Sequence, residues 1–277
     1  MRMMSVVTKL SLRPTILLLA FTFAITAHAV AQSTVAGGGA FTLVVKSDGS
    51  AWSFGLNNNG QLGINSVVNS KTPIQISGLS NITSVAAGGV HAMALTSSGA
   101  LLVWGDNLYG QVGDATTTDR KTPVLLSLSD VTAVAAGEFH SLALTSTGSL
   151  YAWGRNNFGQ IGNGTTTNVS TPALILTGVV AIGAGRNHSL AVKSDGSAWS
   201  WGANGSGQLG TNTTSTGATT TAMQMLSVSG ASKIVGGEAH TLILLNDGTA
   251  KGAGETAPVN SLIRRRRIAG PPSRLVH

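Results

Sequence analysis

Along most of the chain, apolar and polar positions alternate in short bursts separated by glycine-rich punctuation. In the stretch Val134-Ala-Ala-Gly-Glu-Phe-His-Ser-Leu-Ala-Leu144, Leu142 and Leu144 alternate with small residues, the pattern of a half-buried strand. A turn follows at Ser146-Thr-Gly148, and its counterparts are Ser47-Asp-Gly49, Ser97-Ser-Gly99, Ser194-Asp-Gly196 and Asn246-Asp-Gly248. Glycine supplies positive φ there and Asp bonds its own backbone, so each reads as a hairpin tip. The next strand ends in Trp-Gly. After it come a Gly/Asn-rich loop and a Thr-Pro with an apolar run (Thr72-Pro-Ile-Gln-Ile76, Thr122-Pro-Val-Leu-Leu126, Thr171-Pro-Ala-Leu-Ile-Leu176), which predicts another strand. Helix signals are absent throughout.

The bursts are periodic. His91, His140, His188 and His240 are spaced 49, 48 and 52 residues apart, and Trp104, Trp153 and Trp201 are spaced 49 and 48. Gln61, Gln111, Gln160 and Gln208 keep the same register. A fixed period of about 50 residues with about four short strands per unit predicts an all-β chain of β-propeller blades. Four repeats and a partial fifth are present, which predicts an incomplete ring.

The repeat resembles that of the regulator of chromosome condensation family. The resemblance lies in an aliphatic residue, two small residues, Gly, two free positions, His, a small residue and alternating aliphatics, and in Trp-Gly-x-Asn-x-x-Gly-Gln-Leu-Gly. The second, third and fourth repeats match the first element fully. The first has Phe41 in place of His and Phe54 in place of Trp, and the fifth has Val235 at a small position. The resemblance covers residues 34–254 and implies a β-propeller. By analogy with its eukaryotic founding members it implies nucleotide exchange on a small GTPase and chromatin association. By analogy with secreted bacterial members, one of which inhibits a β-lactamase, it implies recognition of a protein through one face.

The flanks change the picture. Residues 1–31 read as a signal peptide. Arg2, Lys9 and Arg13 precede the apolar run Thr15–Ile25, and Ala27-His-Ala29 and Ala29-Val-Ala31 are small-x-small cleavage sites. The run is short for a membrane span, so the mature chain is expected to be soluble and extracytoplasmic, secreted or at the cell surface. There is no cysteine, so the fold rests on its core. The formal charge of +7 is concentrated in the leader and the tail, while residues 34–250 hold eight basic and nine acidic side chains. Nucleic-acid binding normally needs a basic patch, and the repeats supply none.

The chemistry-bearing residues are mostly accounted for by the repeat. His91, His140, His188 and His240 stand one per blade, without the local spacing of a zinc site. They are expected to bond backbone of a neighbouring strand or loop. Trp104, Trp153 and Trp201 are expected to pack between blades. The Gly-x-Asn-x-x-Gly-Gln-Leu-Gly loops lack the Gly-Lys-Ser/Thr of a phosphate loop, and their glycines and asparagines read as positive-φ turn residues. No nucleophile–base set and no carboxylate pair stands out, so the reading is a non-enzymatic recognition module with a protein partner and no cofactor or metal. Its binding face is placed on the loops with Asp106, Asn107, Tyr109, Arg155, Asn156 and Phe158, together with the variable Thr-rich segments 64–71, 114–121, 163–170 and 211–221. A carbohydrate-binding propeller is the other alternative, with Tyr109 and Phe158 as its only aromatic hint.

The repeat breaks at its end. Ala253 stands where Trp belongs, and residues 255–277 carry Arg264-Arg-Arg-Arg267 instead of the next loop. Codons for Thr256-Ala-Pro-Val-Asn-Ser261, read one base upstream, permit Asn-Ser-Ser-Gly-Gln-Leu, the missing motif. A frameshift that leaves an unstructured basic tail and an exposed sheet edge is therefore expected; the alternative is a genuine basic tail.

Overall fold

The computed structural model describes residues 34–255, and the expected leader, the expected frameshift and the basic tail at 256–277 lie outside them. Within that span the chain forms five antiparallel sheets, each a blade whose strands follow one another in sequence. The first blade is β1 (Val35–Gly37), β2 (Phe41–Val45), β3 (Ala51–Gly55) and β4 (Ser70–Gln75). The second is β5 (Ile82–Ala87), β6 (His91–Thr96), β7 (Leu101–Gly105) and β8 (Arg120–Leu125). The third is β9 (Val131–Ala136), β10 (His140–Thr145), β11 (Leu150–Gly154) and β12 (Val169–Leu176). The fourth is β13 (Val179–Ala184), β14 (His188–Lys193), β15 (Ala198–Asn204) and β16 (Ser215–Gln224). The fifth has three strands among the described residues, β17 (Ala231–Gly236), β18 (His240–Leu245) and β19 (Ala250–Gly254).

Each interior blade is covered on both sides, which is why β6, β10 and β14 are buried at alternate and intervening positions alike. Four apolar clusters lie between the five blades. In each, one blade's forward side meets the rear side of the next: Leu142, Leu144 and Leu150 of the third blade pack on Ala191 and Trp201 of the fourth. The hairpin tips form as the sequence predicts, with Gly49, Gly99, Gly148, Gly196 and Gly248 all at positive φ. Asp48 accepts from the Ser50 N–H at 2.9 Å and from its hydroxyl at 2.6 Å, and Asp195 and Asp247 do the same with Ser197 and Thr249. The Ser50 hydroxyl bond holds the Asp48 carboxyl below its ordinary pKa.

The segment 211–221 differs from its expected loop. Most of it belongs to β16, which runs to Ser215 and pairs Ser215 with Asn204 and Thr219 with Gly202. Its β-branched threonines suit an extended outer strand. The other three Thr-rich segments are loops that enter their outer strands at Ser70, Arg120 and Val169.

Candidate functional site

Because every strand reverses direction, the turn after each innermost strand and the long loop after each third strand emerge on one face. The two are joined by a backbone bond in every blade: the N–H groups of Leu56, Asp106, Arg155, Ala203 and Glu255 donate to the carbonyls of Ala40, Val90, Phe139, Asn187 and Ala239. The face is thus a set of paired turns held on rigid sheets.

The long loops are templated by an asparagine. Asn156 is fully buried. Its Nδ2 donates to the carbonyls of Thr165 and Thr167 at 3.0 and 2.9 Å, and its Oδ1 accepts from the Ile161 N–H at 2.9 Å. Asn107 is buried in the same way, on Thr116, Thr118 and Val112. These two asparagines therefore leave the set of contact residues: their amides are spent inside the loop. The reading of the motif asparagines as positive-φ residues is also corrected, since it is Gly110, Gly113, Gly159 and Gly162 that take positive φ. Asp106 is buried too. It accepts from Asn59 Nδ2 at 2.9 Å, from the Leu108 N–H and from Gln111 Nε2. Burial raises its carboxyl pKa, and the Asp119 carboxylate adds to the rise.

The other three candidates are half-buried at the surface. Tyr109 of the second blade meets Phe139 of the third edge to face, with ring centroids 5.3 Å apart. The Arg155 guanidinium stands 5.0 Å from the Tyr109 centroid and 5.5 Å from that of Phe139, within cation–π range. Leu108 beside them is 63% exposed. Phe158 occupies the Tyr109 position one blade on. Phe139 escapes a reading of the long loops alone because it lies on the other turn of the pair.

At the axis the same face carries residues that no motif singles out. The free position after the repeat glycine holds Gly39, Gly89, Glu138, Arg186 and Glu238 in successive blades. Arg186 holds both Glu138 oxygens, Nε to Oε2 at 2.8 Å and Nη2 to Oε1 at 3.1 Å, and its Nη1 reaches Glu238. The hydrogen bond to Glu138, then that to Glu238, raises the arginine pKa. These side chains and the glycines around them line an axial pocket of about 550 Å³. Below it runs a circumferential hydrogen-bond chain. Gly39 N–H donates to the Gly88 and Gly89 carbonyls, Gly89 to Gly137 and Glu138, Glu138 to Arg186, and Arg186 to Gly237.

The repeated histidines join blades. His91 Nε2 lies 2.9 Å from the Ser141 hydroxyl, His140 Nε2 lies 2.9 Å from that of Ser189, and His188 Nε2 lies 3.1 Å from that of Thr241. This corrects the expected backbone partner: each bond is to a side chain of the next blade. The three hydroxyls donate in turn to the carbonyls of Gln111, Gln160 and Gln208 at 2.7–2.8 Å. With its proton so placed, each hydroxyl accepts from Nε2–H, which fixes the neutral tautomer and leaves Nδ1 bare and buried. Burial lowers the pKa of His91 to about 4, of His140 to about 3 and of His188 to about 4. The glycines of the motif make room for the rings: a Cβ on Gly137 would lie 2.1 Å from His140 Cε1. Trp104, Trp153 and Trp201, all fully buried between blades, donate from Nε1 to the Gln61, Gln111 and Gln160 carbonyls at 2.9–3.0 Å. Among the described residues no group of three or more His, Cys, Asp or Glu side chains is placed to hold a metal ion.

Blades linked side by side in this way, with turns of one kind gathered on one face, define a repeat propeller. The RCC1-like domain model matches residues 9–258, and the chain belongs to that family. Among solved structures it is similar to human WBSCR16, at 26% identity and a TM-score of 0.72, over 81% of this chain and 63% of that one. It is equally similar to Prp20p from Saccharomyces cerevisiae, a structure described together with its binding to Gsp1p and histones. That match has 26% identity and a TM-score of 0.70, over 79% of this chain and 56% of that one. A chain from the complex of Kap60 with yeast RCC1 (Prp20) shares the fold at 21% identity and a TM-score of 0.63, over 79% of this chain and 69% of that one. The chain thus spans roughly three fifths of the length of the first two. No curated protein matches it.

Proposed function

We propose that the protein is a non-enzymatic, exported recognition module that binds a protein partner through the face bearing the paired turns. The observation that carries this reading is the cluster of Arg155, Tyr109 and Phe139, with exposed Leu108 beside it. Half-buried aromatics under an arginine are the composition of interface anchors. The Glu138–Arg186–Glu238 triad supplies a charged centre on the same face. Protein binding by Prp20p, described for Gsp1p and histones, supports a protein partner as the class of ligand. The leader at residues 1–31 is the ground for export.

The test is parallel capture from extracytoplasmic extract with three baits: the unaltered protein, Tyr109→Ala/Arg155→Ala, and Thr147→Ala on the opposite face. A partner held by the first and third baits and lost from the double variant is expected. Equal retention by all three would move the site off this face. Recovery of the exported protein with Met1 intact would refute the leader.

A further inference from the structure

Each junction between blades has two halves. The forward half presents the repeat histidine and the apolar residues that alternate with it. The rear half presents the hydroxyl that follows the next histidine, with small apolar residues around it. Four junctions are closed among the described residues, three of them with this histidine–hydroxyl pair and the first with Phe41 and Ala92 in its place. Among the described residues two halves are left open, and they are opposite halves.

The fifth blade exposes a forward half. His240 is exposed, and so are Val235 at 57%, Leu242 at 51% and Leu244 at 39%. The residues at the Leu242 position in the three preceding blades, Met93, Leu142 and Leu190, are all fully buried. The first blade exposes a rear half, in which Thr42, Val44 and Phe54 are half-buried. Thr42 occupies the position of Ser141, Ser189 and Thr241, whose hydroxyls receive the histidines of the preceding blades. Thr241 shows that threonine suits that role as well as serine does. Phe54 occupies the position of the buried tryptophans.

We propose that the forward side of the fifth blade docks on the rear side of the first blade of a second copy, with His240 donating to the Thr42 hydroxyl and Leu242 and Leu244 covered by Val44 and Phe54. The occupant is a second copy because the complement of each open half is displayed on this same chain, in the geometry the fold already uses three times. A contact of this sort is head-to-tail, so it propagates into a closed ring or an open filament and does not stop at a two-fold pair.

The test uses the full chain, which has no cysteine of its own. Mass is followed by light scattering over a concentration series for the unaltered protein and for Leu242→Lys, a change at an exposed position that leaves the described cores intact. In parallel, Thr42→Cys and a tagged His240→Cys are treated with a short bis-maleimide, separately and mixed. The expected result is a mass that grows with concentration, a monomer for Leu242→Lys, and cross-linking only in the mixture. A monomeric unaltered protein at every concentration would overturn the proposal. So would cross-linking of His240→Cys with itself, or a cross-link within one chain carrying both cysteines. Strong hydrogen-exchange protection of β18 in a monomer would assign the cover to residues 256–277 and overturn it equally.

Discussion

Lowering the pH from 7 to 5 loads the junctions between blades. His91, His140 and His188 fold as neutral rings with pKa values of about 4, 3 and 4, against 6.5 for an exposed ring. The folded values lie below the unfolded one, so the unfolded chain binds more protons. Stability is therefore lost as the pH falls through 6.5, and the loss continues down to the folded values. Linkage gives about 2 kcal/mol per histidine between pH 7 and 5, or about 6 kcal/mol for the three. That is a large part of the stability of about 5–15 kcal/mol usual for a domain. Asp106, with its raised pKa, runs the other way and offsets a fraction of the loss. The perturbation is His140→Phe with Ser189→Ala, which copies the junction of the first two blades, where Phe41 and Ala92 take these places in one apolar cluster. Trp201 keeps its bond to the Gln160 carbonyl. Urea titrations at pH 7, 6 and 5, read by fluorescence of the buried tryptophans, give the slope. The double variant should lose about one third less than the unaltered protein over that range, a difference of about 2 kcal/mol. Equal slopes for the two proteins, or no loss between pH 7 and 5, would refute the reasoning.

Three further outcomes follow from packing. Gly137→Ala drives a Cβ against the His140 ring and within 2.7 Å of the Gly185 carbonyl, and should cost about 3 kcal/mol in a urea melt. Asn156→Ala removes the donor to two loop carbonyls and the acceptor for Ile161. It should cost about 1–3 kcal/mol and admit protease between Asn163 and Asn168. Ala253→Trp with Met225→Ala gives the fifth blade its missing indole in the space where Met225 Cε would lie 2.7 Å from a Cβ on Gly210. The new Nε1–H faces the Gln208 carbonyl, and the melting temperature should rise by several degrees for a gain of about 1 kcal/mol.

The strands were legible because turn chemistry and alternation recur in register, so each hairpin tip and each Trp-Gly strand end stands where the repeat puts it. The histidine partner was less visible, although Ser141 lies beside His140 in sequence. Neighbours on a strand point to opposite sides, so His140 faces the fourth blade while Ser141 faces the second. The burial of Asn107 and Asn156 was hidden because a polar residue in a glycine-rich loop normally reads as solvated. Only the carbonyls nine and eleven residues on explain them. The axial triad joins residues 48 and 52 positions apart, and its signal was the one repeat position where Gly, Glu and Arg alternate. In 211–221 the run of threonines marked a strand that outlasts those of the other blades.

The junctions are not equal, and this has a kinetic consequence. Those between the second and third and between the third and fourth blades combine a histidine–hydroxyl bond with an indole bond. Of these two buried bonds, the junction of the first two blades has only the indole bond, and that of the last two has only the histidine bond. In a stack whose stability is a sum of unit and neighbour contributions, such a chain, held monomeric by Leu242→Lys, frays from both ends toward its middle. Amide protons of β10, β11 and β14 should therefore exchange last, through opening of the whole stack. Those of β2 and β18 should escape through partial openings that leave the central blades intact.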